Sequence, residues 1–230
     1  MKNKSVTVVI ASYKYGHLAA HCIESILSQS RIPDKILFVD DGVGDCFHLK
    51  DLYPQVEFTF RKKNLGIAIN FDDMLKKVDT DYCMFLGADN WLKSNTIEEV
   101  MKFDEDIITY DIILTGELKS ELNNKFPTEI KPFYGDYYWS RKNKHHGSMV
   151  YKTEKAKKFG YVKREGGKYS DEDWVLWDKM IADGASVAYI NEAFLYYRRH
   201  KENYNNYSGI IQPENSLKKI IIYKLKKWLS

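Results

Sequence analysis

The residues best suited to chemistry are carboxylates that end apolar runs. Asp89 follows Cys83-Met84-Phe85-Leu86, with Gly87 and Ala88 between. Four consecutive apolar residues predict a strand buried on both faces. A carboxylate beyond the C-terminal end of such a strand sits where open α/β sheets bind ligands. It also suits a hard divalent cation, which takes oxygen ligands and often bridges to phosphates. Asp40-Asp41 end a second run, Lys35-Ile36-Leu37-Phe38-Val39, and precede Gly42. An acid there can accept hydrogen bonds from a base or a ribose. Asp171-Glu172-Asp173 opens a segment carrying Trp174, Val175, Trp177 and Ile181. A carboxylate at a helix start beside a glycine-rich loop is placed to act as a general base. Each site also has a purely structural reading. Gly, Asp and Asn make turns, and Ser170 with Asp173 fits a capping box at a helix dipole.

Two histidine sites remain. His200 lies in Tyr196-Tyr197-Arg198-Arg199-His200-Lys201, a cationic loop that suits a diphosphate or a metal. His145-His146 are adjacent, and neighbours point apart in regular structure. They read as surface or acceptor-side residues rather than a metal pair.

The elements that must position these groups follow a regular order. Val6 to Ala11 is a β-branched run, predicted as a buried parallel strand. Leu18, Cys22, Ile23, Ile26 and Leu27 form a helical stripe between His17 and Ser30. Strand, helix and the Lys35 strand make a βαβ unit, right-handed by strong default. Asp45 to Tyr53 predicts a short helix, and Val56 to Phe60 a third strand. Asn64-Leu65-Gly66 opens a helix with Ile67, Phe71, Met74 and Leu75 inward. The Asp89 strand follows, then a helix capped by Ser94 or Asn95. The first hundred residues therefore predict a doubly wound, mostly parallel α/β sheet flanked by helices.

After Phe103 the pattern loosens. Asp111 to Thr115 predicts a strand. Residues 116–147 are polar, aromatic and irregular, too long for an ordinary loop, and form a candidate binding segment. Ser148 to Tyr151 and Ala185 to Ile190 predict strands, with helices over 152–159 and 171–181. Glu165-Gly166-Gly167-Lys168 predicts a mobile lid. The division expected is a domain over 1–214, with a nucleotide-binding half (1–103) and an acceptor-binding half (104–214), and a basic amphipathic tail helix over 215–230.

Composition narrows the classes. Of 230 residues, 44% are hydrophobic, which supports a real core. The net charge is +3, and the last sixteen residues hold five lysines and no acid. The body before them is thus slightly acidic, without the basic patch of a nucleic-acid binder. Cys22, Cys46 and Cys83 lack metal-ligand spacing and read as reduced core thiols. The polar start, Met1 to Ser5, predicts no signal peptide. No apolar run approaches the roughly 18 residues that span a bilayer. Gly42-Val43-Gly44 follows the second strand and lacks a third glycine, which disfavours a dinucleotide-binding dehydrogenase. Nucleotidyl transfer would want a glycine-rich basic loop after the first strand, where Ser12 to Gly16 offers only Lys14.

Taken together, these motifs resemble the inverting glycosyltransferases of family 2, which have the GT-A fold. The resemblance runs from about residue 5 to about residue 202. It rests on Val6-Thr7-Val8-Val9-Ile10-Ala11-Ser12-Tyr13, Glu24 to Gln29, Val39-Asp40-Asp41-Gly42, Asn64-Leu65-Gly66 with Asn70, Glu172-Asp173-Trp174, and His200. It implies a GT-A-type sheet, an irregular acceptor-side segment and inverting, metal-assisted transfer of a hexosyl or N-acetylhexosaminyl group. The donor implied is a nucleotide sugar, UDP-linked, held by Ala11, Ser12, Tyr13, Asp40, Asn64, Gly66, Asn70, Gly87 and Ala88. It implies Asp173 as the base, Asp89 and His200 as ligands of Mn²⁺ or Mg²⁺, and Glu172, Trp174 and His146 as acceptor contacts. The acceptor class is a saccharide or lipid-linked saccharide, as in bacterial polysaccharide biosynthesis at the cell envelope. The family usually has Asp-x-Asp at the end of the metal strand, and here Gly87 replaces the first Asp. That departure keeps an alternative open, a catalytically weak sugar-nucleotide-binding homologue with a scaffolding role.

The location expected is cytoplasmic. Leu217, Ile221, Leu225 and Trp228 share one helical face among the tail lysines. That face suits peripheral binding to an anionic membrane surface, and equally a helix packed on the body.

Overall fold

The computed structural model describes residues 4–115, 137–139, 144–165, 171–198, 200 and 203. The tail helix over 215–230, most of the irregular segment, Ser170 and all but Glu165 of the lid lie outside the described residues. The chain forms two compact units, one of residues 1–113 and 138–197, the other of 114–137 and 198–230.

In chain order the elements are β1 (Val6–Ser12), α1 (Gly16–Leu27), β2 (Lys35–Asp40), α2 (Leu49–Leu52), β3 (Glu57–Phe60), α3 (Ile67–Lys77), β4 (Tyr82–Gly87), β5 (Trp91–Leu92) and α4 (Thr96–Val100). Then come β6 (Ile107–Thr115), β7 (Tyr137–Trp139), β8 (Val150–Lys152), α5 (Thr153–Phe159), α6 (Glu172–Ala182) and β9 (Val187–Arg198). The described strands form one sheet in the order β3-β2-β1-β4-β8-β6-β9-β5, with β7 beside β6. β3, β2, β1 and β4 run parallel. β8 runs antiparallel to both β4 and β6.

The parallel half is the part the apolar runs specify. Val6, Val8, Val9 and Ile10 of β1, Phe38 and Val39 of β2, and Cys83 to Leu86 of β4 are all wholly buried. Each large side chain removed from water this way contributes about 1.5–3 kcal/mol. On one side of the sheet, Phe71, Met74 and Leu75 of α3 join Leu176, Trp177 and Met180 of α6 in a common core with Phe85 and Tyr151.

Several local expectations need correction. The helix expected over 45–53 is a single turn, α2, preceded by turn residues. β6 begins four residues before the expected Asp111, and β9 continues eight beyond the expected Ile190. Ile181 of α6 is exposed, while Leu176 and Met180 face inward. The N-cap of α6 is Asp171, in a left-handed conformation (φ 46°) with no side-chain cap bond, while Ser170 of the expected capping box lies outside the described residues. Asn95 likewise caps α4 without a side-chain bond.

One carboxylate fastens the antiparallel half. Asp106 precedes β6 and accepts from Lys155 Nζ (2.7 Å), Ser186 N–H (3.0 Å), Ser186 Oγ (3.1 Å) and Lys152 Nζ (3.4 Å). Burial by itself would raise its pKa. The two lysines and the serine donors outweigh that and hold it at about 2, below the ordinary carboxylate range. A carboxylate with a depressed folded-state pKa stabilises the fold fully above its unfolded value, near 3.9, and ceases to as pH falls through the folded value. Asp106→Asn is therefore expected to lower the melting temperature at neutral pH. The gap from wild type should close as pH is lowered from about 4 toward 2, followed by circular dichroism. A gap independent of pH would remove this assignment.

Candidate active site

The parallel register lines up the expected donor residues. Ala11 lies beside Gly87, Ser12 beside Asp40, and Asp40 beside Phe60, all at the C-terminal edge of the sheet. The ladder continues past the strands, with Asp41 N–H on Ser12 O and Ala88 N–H on Ala11 O, both 2.9 Å.

The two acids after β2 each tie down a loop. Asp40 Oδ1 accepts from Val43 N–H (3.0 Å), and its Oδ2 from Gly44 N–H (3.0 Å) and Cys46 N–H (3.3 Å). Asp41 accepts from Leu65 N–H (3.0 Å) and Gly66 N–H (3.2 Å). The two loops press together at Gly42 (φ 85°). A Cβ there would lie 2.2 Å from the carbonyl carbon of Lys63, so only glycine fits. Arg61 braces the second loop. Its Nε donates to Asn70 Oδ1 (2.7 Å), and Nη2 lies 3.3 Å from Asp73. Asn70 is thus a buried bracing residue, while Asn64 is exposed at the loop tip. Tyr13 is 43% exposed, with Lys14 Nζ 5.2 Å from its ring centroid. A ring so presented is free to stack on a planar base.

Asp89 is buried, 7% exposed, in the turn closed by Asn90 N–H on Gly87 O. A Cβ at Gly87 would stand 2.6 Å from Asp89 Oδ1 and 3.0 Å from Asn90 Nδ2. The missing side chain of Gly87 is what gives the Asp89 carboxylate its place. Asp89 offers, at the sheet edge, the hard oxygen donor that a divalent cation would take. Asp40, Asp45 and Cys46 also bring ligand atoms within 4.8 Å of one another. Two of them are engaged within the protein. Asp40 already accepts three N–H groups, and burial, with Asp45 and Asp40 nearby, pushes the Cys46 thiol up to about 12 against its bond to Ser12.

The third acidic site opens α6. Asp173 Oδ1 accepts from Trp174 N–H (2.8 Å), which fixes that oxygen. Its other oxygen, Oδ2, faces the bare Cα of Gly147, where a Cβ would lie 3.4 Å away. Glu172 beside it is buried. Gly147 belongs to a segment, 144–148, held on β6 by three consecutive residues. Thr109 Oγ1 donates to Lys144 O, Tyr110 Oη to Ser148 O (2.6 Å), and Asp111 takes Lys144 Nζ at 2.7 and 2.8 Å. That ion pair is buried.

The histidines of this segment, expected as surface or acceptor-side residues, are buried. Their side chains do point apart. His145 stacks on Trp174, with centroids 3.5 Å apart and planes at 12°. His146 packs on Tyr110 at 4.6 Å, and its Nδ1 accepts from Ser148 N–H. His200 is described within the second unit. It is buried, and its N–H donates to Asn203 Oδ1 (2.7 Å).

The parallel four-strand edge with carboxylates, followed by an antiparallel extension that carries an acidic helix start, is the fold of the GT-A glycosyltransferases. The solved structures most similar in shape include S. aureus TarS residues 1–349 in complex with UDP-GlcNAc, with a TM-score of 0.66 and 12% identity over 86% of this chain. A mannosyltransferase from Pyrobaculum calidifontis, in complex with GDP-Man and Mn²⁺, has a TM-score of 0.61 and 14% identity over 90% of this chain. The profile of glycosyl transferase family 2 matches residues 7–161, and the chain belongs to that family. Among curated relatives, the glycosyltransferase GlyA of Streptococcus pneumoniae serotype 4 is 23% identical over 220 residues, 85% of this chain. A Mycoplasma pneumoniae glycosyltransferase, the MG060 homolog, is 30% identical over 120 residues, 46% of this chain. The matches span 31% and 40% of those two relatives and 60% of each of the two structures.

Sequence reasoning missed Asp41 as a loop anchor, Arg61, Gly147 and the Asp111–Lys144 pair. The one signal within reach was Gly42 directly after two acids, a loop needing an acceptor for its amides. Asp41→Ala strands the N–H groups of Leu65 and Gly66, and unsatisfied buried donors cost about 1–3 kcal/mol each. Urea denaturation should show a stability loss of that order. A loss below about 0.5 kcal/mol would mean that water replaces the anchor.

Proposed function

We propose that the protein moves a sugar from a nucleotide sugar, UDP-linked, to a hydroxyl of a saccharide or lipid-linked saccharide, with inversion. The observation that carries this reading is the Asp173 carboxylate at the start of α6, with Oδ1 held by the Trp174 amide and Oδ2 beside the Cα of Gly147. A carboxylate whose orientation is fixed by a backbone amide is preorganised to act as a base toward one position. The family supplies the reaction class, and the similar structures carry UDP-GlcNAc in one case and GDP-Man with Mn²⁺ in another.

Asp173 Oδ2 takes the proton from the acceptor hydroxyl. The acceptor oxygen, losing that proton, bonds to the anomeric carbon as the bond to the diphosphate breaks on the opposite side, which inverts the centre. The nucleoside diphosphate leaves with the bonding pair. Tyr13 presents a ring to the base, and Ala11, Ser12, Asn64, Gly66, Gly87 and Ala88 line the donor edge. Asp40 holds its loop and keeps unused acceptor capacity on Oδ1. Asn70 acts through Arg61. Asp89 and His200 are the proposed ligands for Mn²⁺ or Mg²⁺, which when bound neutralises charge building on the leaving diphosphate. Glu172, Trp174 and His146 shape the acceptor side. The basic face of residues 216–229 offers an anionic membrane surface as the place where a lipid-linked acceptor is met. No helix among the described residues is long and apolar enough to cross a membrane.

Two experiments test this reading. Thermal-shift screening of nucleotide sugars is run with Mn²⁺ and with EDTA. A Mn²⁺-dependent rise in melting temperature with one UDP-sugar is expected, because a ligand that binds only the folded state stabilises it. No rise with any nucleotide would leave the donor reading without support. With the donor in hand, Asp173→Asn should lower transfer by roughly 10²–10⁴-fold. Near-normal transfer would remove Asp173 from the role of base.

A further inference from the structure

We propose that His145 is a positioning residue for Asp173, acting through the face of Trp174. The proposal rests on the reading of Asp173 as the base. The chain of contacts is continuous. β6 holds Lys144 through the buried Asp111 ion pair and through Thr109. Lys144 is left-handed (φ 49°), so the backbone turns sharply at the residue before His145. A non-glycine residue in that region persists only where its surroundings over-determine it.

His145 is 1% exposed and sits in a cage of two indoles. Trp174 lies parallel to its ring at 3.5 Å, and Trp177 meets it edge-on at 5.5 Å and 88°. Both indoles belong to α6, one turn apart. The imidazole therefore fixes the rotation of the first turn of α6 relative to the 144–148 segment. Trp174 is also the residue whose backbone N–H holds Asp173 Oδ1. Gly147, two residues from His145, faces Asp173 Oδ2. One segment thus meets both oxygens of the carboxylate, Oδ1 through the stack and the Trp174 amide, and Oδ2 at the Cα of Gly147.

A stack is a property of the aromatic face, so phenylalanine should substitute and an aliphatic side chain should not. The described N-cap of α6, Asp171, makes no side-chain cap bond.

The test uses the full chain as wild type, His145→Phe, His145→Leu and His145→Ala, isotope-labelled for amide NMR, with Asp173→Asn marking the Trp174 signal. The leucine variant fills the site without an aromatic face and serves where alanine fails to fold. In His145→Phe the Trp174 amide signal and its hydrogen exchange should match wild type. In His145→Leu that exchange should speed up about tenfold or more, as the first turn loosens. Turnover of the nucleotide sugar that gives the thermal shift should fall roughly 10²-fold in the leucine variant with its KM unchanged, the cost expected of a misplaced catalytic group. An unmoved Trp174 signal in His145→Leu, or equal movement in the phenylalanine and leucine variants, overturns the proposal. The amide measurement needs no substrate. Failure of the base reading would appear instead as normal turnover in Asp173→Asn, with the Trp174 comparison unaffected.

Discussion

Two adjacent carboxylates at the end of β2 carry more of this structure than any other pair. Asp40 and Asp41 each close a loop by accepting backbone N–H groups, and the loops meet where Gly42 presses on Lys63. A loop over a buried sheet edge has amides that water reaches poorly, and each left unpaired costs free energy. Charged acceptors satisfy several at once and more strongly than neutral groups do. The proposed donor edge is therefore a surface of backbone and small side chains whose shape is set from beneath.

The antiparallel half uses a different device. Three consecutive residues of β6, Thr109, Tyr110 and Asp111, hold a segment that comes from more than thirty residues later in the chain. The buried Asp111–Lys144 pair is weak support for stability by itself, because desolvation offsets most of its attraction. Its value lies in register. A fork that accepts one ammonium in one place leaves the segment a single seat on the strand. That seat aligns Gly147 with Asp173.

What the sequence made legible follows the range of each interaction. β1, β2, β4, α1 and α3 are local patterns, continuous apolar runs and 3.6-residue stripes, and they could be read directly. The edge position of Asp40, Gly87 and Asp89 follows from parallel topology, so it too was within reach. The expected start of β6 at Asp111 left out Ile107 to Tyr110, a β-branched and aromatic run that is buried in the sheet. The far end of β9 was hidden because Asn191 and Glu192 interrupt the apolar pattern without breaking the strand. His145 and His146 looked exposed in a run of Arg, Lys and Asn. Their burial depends on Trp174 and Tyr110, partners about thirty residues distant on either side, which no local window contains.

Cys46 lies beneath the donor edge, with its thiol 3.3 Å from Ser12 Oγ and from Asp45 Oδ1. Wholly buried and with its pKa pushed up to about 12, it offers almost no thiolate to an alkylating reagent while the loop is closed. The same loop amides that Asp40 gathers are the ones that bury it. Alkylation of Cys46 therefore requires the loop to lift from the sheet, and its rate is a clock for that opening. The protein carries within its own sequence a chemical timer on how often its donor edge comes apart.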